Sequence, residues 1–115
     1  MPCVAEFGII ETFEIGKDYS DYEPEKYNCI SIDDDFINDW WSNLVLIKTY
    51  HHSYNRPDFA LARWGVTLIP PESVEQFHNI VATDKRSKSS KQLIELMVLI
   101  RKAIEKGKWM IHYGV

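Results

Sequence analysis

Basic side chains are almost missing from the first forty residues. Only Lys17 and Lys26 occur there, against eleven carboxylates. The other seventy-five residues carry eleven basic and six acidic side chains, so the front is −9, the back +5 and the whole chain −4. Phosphates repel carboxylates, which argues against nonspecific nucleic-acid binding by the front half. Cysteine is scarce as well. Cys3 and Cys29 allow one disulfide at most, and two free thiols in a reducing compartment is the favoured reading. Cys29 sits in the apolar run Cys29-Ile30-Ser31-Ile32 and is expected to be buried and inert. No long hydrophobic run is present. The most apolar stretch, Leu93 to Ile104, is interrupted by Glu95, Arg101 and Lys102, too short and too charged to span a bilayer. No basic-then-apolar signal opens the chain. These absences predict a cytoplasmic protein without a membrane partner. No catalytic motif stands out, and no cofactor or metal is expected.

What is present suits one globular domain. The chain has 115 residues, of which 45% are hydrophobic and 26% charged, enough to bury a core without staples. Residues 4–15 predict a strand, with Phe7, Ile9, Phe13 and Ile15 on one alternation and Glu6, Gly8, Thr12 and Glu14 on the other. Glu11 interrupts the apolar face and predicts a bend near Ile10. Residues 16–26 are polar and predict a loop with room for one helical turn. Tyr27 to Ile32 predicts a second strand. Asp33 is a good N-cap for a helix from Asp34 to Leu46, with Phe36, Ile37, Trp40, Trp41 and Leu44 at helical spacing. Lys48 to Tyr54 and Phe59 to Ile69 predict a hairpin around the turn Asn55-Arg56-Pro57-Asp58. Pro70-Pro71 opens the next helix. Ser89 or Ser90 caps the last one, whose buried face is Leu93, Leu96, Met97, Ile100 and Ile104. Gly107 ends it, and Trp109 to Tyr113 is a final strand. The order β-β-α-β-β-α-α-β predicts an α+β domain, with a largely antiparallel sheet of about five strands and three helices.

Five constellations could carry function. Tyr50, His51, His52, Tyr54, Arg56 and Asp58 crowd one turn, a composition that suits acid–base or phosphate chemistry. Neighbours on a strand point to opposite faces, however, so His51 and His52 do not naturally share a site. Asp33, Asp34, Asp35 and Asp39 could hold a cation, but helix capping accounts for the run and the calcium-loop pattern is missing. Lys85 to Lys91 could receive an anion or form a solvated loop. Pro2 would become a secondary amine if Met1 were removed. This feature, with the ending from Ser87 to Tyr113, is loosely similar to the tautomerase superfamily, which uses such a proline as base. That family has a long helix after its first strand, where this chain holds Tyr19, Ser20, Tyr22 and Pro24.

The fifth constellation is acidic and aromatic: Asp18, Tyr19, Asp21, Tyr22, Glu23 and Glu25. Tyrosine supplies rigid contact area and carboxylates steer a basic partner. Asp34, Asp35, Asp39 and Trp41 extend this surface if the first helix packs beside the loop. In size, acidity, abundant Trp and Tyr and lack of catalytic motifs, the chain resembles the small single-domain immunity proteins of bacterial toxin systems. The resemblance implies a noncatalytic binding protein that masks the active site of a basic toxin. The alternatives are a small enzyme using His51, His52 and Arg56, or Pro2, and a homo-oligomer, in its simplest form a homodimer, sealed by an exposed tryptophan.

Overall fold

The computed structural model describes residues 4–62 and 64–114. Pro2, Cys3 and Arg63 lie outside them, so the reading of Pro2 as a base does too. The elements are β1 (Val4–Ile10), β2 (Ile30–Asp33), α1 (Asp34–Leu44), β3 (Lys48–His51), β4 (Pro57–Phe59), β5 (Gly65–Ile69), α2 (Pro71–Thr83), α3 (Lys91–Lys106) and β6 (Trp109–Gly114), with short 3-10 turns at Pro24–Tyr27 and Lys85–Lys88. The fold is α+β. The strands form one sheet of order β2-β1-β6-β5-β3-β4, and every neighbouring pair is antiparallel. The last strand therefore sits inside the sheet, between β1 and β5.

Six strands appear where about five were expected, because the stretch from Phe59 to Ile69 is not one strand. It ends as β4 at Phe59 and resumes as β5 at Gly65. Ala60 has a φ of 65°, and its N–H reaches the Ile47 carbonyl at 3.0 Å. Thr49 Oγ1 donates to the Ala60 carbonyl at 2.6 Å, and Thr67 Oγ1 accepts from the Ala62 N–H at 2.7 Å. These bonds tie Ala60 and Ala62 back to Ile47, Thr49 and Thr67 between the two strands. The apolar alternation stayed in phase across the excursion, so it looked continuous. Pro57 and Asp58 belong to β4 rather than to the turn. Proline is tolerated there because β4 is an edge strand.

Both faces of the sheet are covered. Along β6, Met110 joins a core with Phe7, Ile9, Ile69, Trp40, Phe77, Leu96 and Ile100. Ile111 and Tyr113 join a second core with Ile10, Tyr19, Tyr27, Tyr50 and Leu68. Successive strand residues point to opposite faces, so the three helices cover one face and the segment 11–29 covers the other. The helical core is closed by Phe7 stacked on Phe77 at 5.2 Å. The loop core is mostly aromatic. Phe13 stacks on Trp109 at 3.7 Å and on Tyr19 at 5.4 Å, an arrangement that adds to simple burial.

The helix ends follow local chemistry. Asp33 accepts from the Asp35 N–H at 2.9 Å and starts α1, which stops at Leu44, two residues before the expected end. Ser90 caps α3. Gly107 takes the left-handed conformation, φ 64°, that ends it. Lys108 N–H bonds the Ala103 carbonyl, and Ala103 itself lies in the helical core with Leu96 and Ile100. Ile104, expected in the buried face, is 39% exposed instead.

Candidate functional site

The loop 11–29 is held from below by its aromatic residues. Tyr19 is buried. Its backbone N–H bonds the His52 carbonyl at 2.7 Å, and its hydroxyl accepts from the Glu14 N–H at 2.9 Å. Tyr27 is buried beside it. Tyr19 therefore works as an anchor rather than as contact area. Tyr22 is the exposed tyrosine of this loop. It meets Tyr113 edge-on at 5.1 Å, and its hydroxyl donates to the Glu6 carboxylate. That bond, with burial and the Glu6 charge, pushes the Tyr22 phenol up to about 12. The Glu23 N–H donates to the Tyr113 hydroxyl at 3.3 Å, and its carboxylate pairs with Lys26 at 3.7 Å.

With the aromatics turned inward, Asp18, Asp21 and Glu25 stand exposed above them. The Asp18 carboxylate accepts from the Ser20 N–H at 3.0 Å, and its hydrogen bonds to Ser20 hold its pKa below the ordinary value. It thus stays charged in mild acid.

The helical carboxylates lie elsewhere. α1 packs on the helical face, and the loop covers the opposite one. The condition for joining Asp34, Asp35 and Asp39 to the loop is therefore not met. Asp35 is exposed, Asp34 and Trp41 are half-buried, and Trp41 packs on the helical core. Asp39 is engaged with Arg86 Nη2 at 2.9 Å.

Arg86 also bonds both oxygens of Asp84, at 3.0 and 2.7 Å, and lies over the Phe36 ring at 4.6 Å. Asp84 Oδ2 accepts from the buried Trp40 indole N–H at 2.8 Å. The Arg86 hydrogen bonds, with the Trp40 bond, hold the Asp84 carboxyl well below the usual carboxylate range. This cluster stitches α1 to the α2–α3 connection and accounts for Arg86 within the basic run Lys85 to Lys91. Replacing Asp84 with Ala leaves the Trp40 N–H without its acceptor, so urea melts should show a loss of about 1–3 kcal/mol. A change within error would show that the indole finds water instead.

The histidine-rich turn is divided in the same way. Tyr50 and Tyr54 stack at 4.9 Å on the loop face. His51 Nδ1 meets Asp58 Oδ2 at 3.4 Å, and burial holds the His51 pKa below its ordinary value despite that carboxylate. The Arg56 carbonyl accepts from the His51 N–H at 2.9 Å. His52 has a φ of 69° and faces Gly65, where an added Cβ would meet its ring at 3.2 Å. His78 lies apart on α2, beside Asn79. Among the described residues, no group of three His, Cys, Asp or Glu is placed to hold a metal ion. None of their helices is long and apolar enough to cross a membrane.

Two features were not anticipated from sequence. The first is a polar row on the helical face of the sheet. Thr67 stands between His51 and His112 in the strand register, and its Oγ1 lies 3.4 Å from His112 Nδ1. The signal was available, since placing Trp109, Ile111 and Tyr113 on one face puts His112 on the other. The second is a cleft of about 360 Å³ at the end of β1, lined in part by Lys17, Lys26 and Lys102. No sequence signal joins those three lysines.

Cys29 is a free, half-buried thiol. Burial, with the Glu6 charge nearby, pushes its pKa up to about 12, which keeps it protonated and unreactive. Comparison with protein-family models, with curated proteins and with solved structures finds no match to this chain.

Proposed function

We propose that this protein is a noncatalytic binding module of the immunity type. Its loop-covered face docks on a basic protein partner. The observation that carries this reading is the inward turn of Tyr19 and Tyr27 beneath an outward row of Asp18, Asp21 and Glu25. A charged loop tied to an aromatic core loses little freedom on binding. Its carboxylates can steer an oppositely charged partner at the encounter stage. Tyr22, 55% exposed and fixed by Glu6, supplies an aromatic contact among them.

The division of the carboxylates between two faces makes the proposal directional. With a basic partner recovered from the native host, a D18N/D21N/E25Q variant should associate about ten-fold more slowly at low salt. Its rate should also depend less on salt. A D34N/D35N variant, altered on the helical face, should associate like wild type. Stopped-flow association at two ionic strengths measures both. If the loop variant keeps the wild-type rate and salt slope, the proposal is wrong; if the helical variant alone slows, the docking face is the other one.

A further inference from the structure

The only two basic residues of the first forty converge on one place. Lys17 and Lys26 both line the cleft at the end of β1, and Lys102 of α3 joins them. Each of the first two is set over an aromatic ring: Lys17 lies 5.0 Å from the centre of Tyr19, and Lys26 5.7 Å from that of Tyr27. Those rings also line the cleft. Its apolar part comes from Ile9, Ile10 and Leu99.

Two carboxylates, Glu11 and Glu14, share the rim, and Glu23 pairs with Lys26, so three ammonium groups stand against three carboxylates. A fourth ammonium, Lys108 Nζ, is fixed on the Glu11 carbonyl at 2.7 Å. The cleft thus carries a small positive surplus, four ammonium groups against three carboxylates, inside the most acidic part of the chain. Its volume lies at the lower end of the range for small-molecule sites.

We propose that this cleft binds a small anion carried on a flat apolar body, such as an aromatic carboxylate or aryl phosphate. The anionic group is held by Lys17 and Lys102, the two lysines of the cleft without a carboxylate partner among the described residues. The flat body lies against half-buried Leu99, with the nearly buried Ile9 and Ile10, 7% and 2% exposed, at the floor of the cleft. Glu14 lowers the affinity and sets a preference for ligands with one compact charge. The site shares the loop 11–29 with the proposed docking face, but ligand binding here can be read without a protein partner.

The test is a two-dimensional amide NMR titration of the whole chain with benzoate, phenyl phosphate and inorganic phosphate. Benzoate and phenyl phosphate should give saturable shifts at Ile10 and Asn28, and inorganic phosphate much weaker ones. A K17Q/K102Q variant with the wild-type amide spectrum should bind at least about ten-fold more weakly, the loss expected when a charge-assisted hydrogen bond is removed. E14Q should bind more tightly than wild type. The proposal fails if no probe saturates below about 10 mM, a concentration at which affinity carries no specific meaning. It also fails if the lysine variant binds as well as wild type, or if inorganic phosphate matches the aryl compounds.

Discussion

At pH 4 the folded state is expected to be roughly 3 kcal/mol less stable than at pH 7 through His112 alone, since each unit of pKa difference is worth about 1.4 kcal/mol. His112 is 2% exposed, and its ring lies 4.9 Å from that of Phe7. Burial, with the nearby His51, pulls its pKa from the ordinary 6.5 down to about 3. The unfolded chain therefore takes up a proton below pH 6.5 that the folded chain refuses until about pH 3. Stability is full above pH 6.5 and falls as the pH drops through that window. His51, whose pKa is also lowered, adds to the fall in the same sense. Asp84 acts in a lower window. Its carboxyl is depressed below 3.8, so its contribution is present above that value and is lost only as the pH falls further.

The measurement is urea unfolding at pH steps from 8 to 4. A His112→Asn variant keeps a polar group near Thr67 and removes the titration. It should be less stable than wild type at pH 8, because a large buried ring is lost, but its stability should change much less between pH 7 and pH 4. A variant with the wild-type slope would show that the acid limb comes from other groups. The polar row then has a structural meaning. Thr67 and His112 form a buried polar contact in an apolar core, and such a contact fits one register of β5 on β6 and no other.

The histidine row also shows where sequence reading succeeds and where it stops. Period-two alternation located β1 and β6, and helical spacing with caps at Asp33, Ser90 and Gly107 located α1 and α3. Those signals are local. The split between β4 and β5 was illegible because Ala60, Ala62 and Trp64 keep the strand alternation while the backbone leaves the sheet. The fate of the acidic loop was half legible. Its tyrosines could have pointed out to a partner or back to a core, and composition tips only slightly toward the core. What decides is the second apolar face of the sheet. Ile10, Leu68 and Ile111 must be covered, none of α1, α2 and α3 adds a described residue to their core, and the loop tyrosines Tyr19 and Tyr27 do. The separation of Asp34 and Asp35 from Asp18 follows from the same layer arrangement. So does the meeting of Lys17, Lys26 and Lys102, three residues distant in sequence.

That coverage depends on one glycine, and Gly8→Ala should cost about 3 kcal/mol, at the upper end of ordinary overpacking in a well-filled interior. Gly8 lies in β1 on the loop face, opposite the chain at Tyr27 to Cys29. A Cβ at this position would stand 2.7 Å from the Tyr27 carbonyl oxygen, 2.8 Å from the Tyr27 Cβ and 2.8 Å from Cys29 Sγ. Two of these atoms belong to the backbone or its first carbon, so no rotamer change relieves them. Either β1 shifts against β6, which the six-residue register resists, or the Pro24–Tyr27 turn lifts off the sheet. The second course disturbs fewer bonds. It would expose Cys29, whose thiol is now held neutral by burial. In a Cys3→Ser background, G8A should therefore react with a thiol reagent well before global unfolding, while the parent reacts slowly. It should also slow association with a basic partner, although no exposed carboxylate has changed, because the loop that holds Asp18, Asp21 and Glu25 has lost its support. If G8A unfolds at the wild-type urea midpoint and leaves Cys29 protected, the loop is not seated on β1 in this way. A variant with an exposed Cys29 and undiminished association would separate the two halves of the argument. The loop would then depend on Gly8 for its seat, and the docking surface would lie elsewhere.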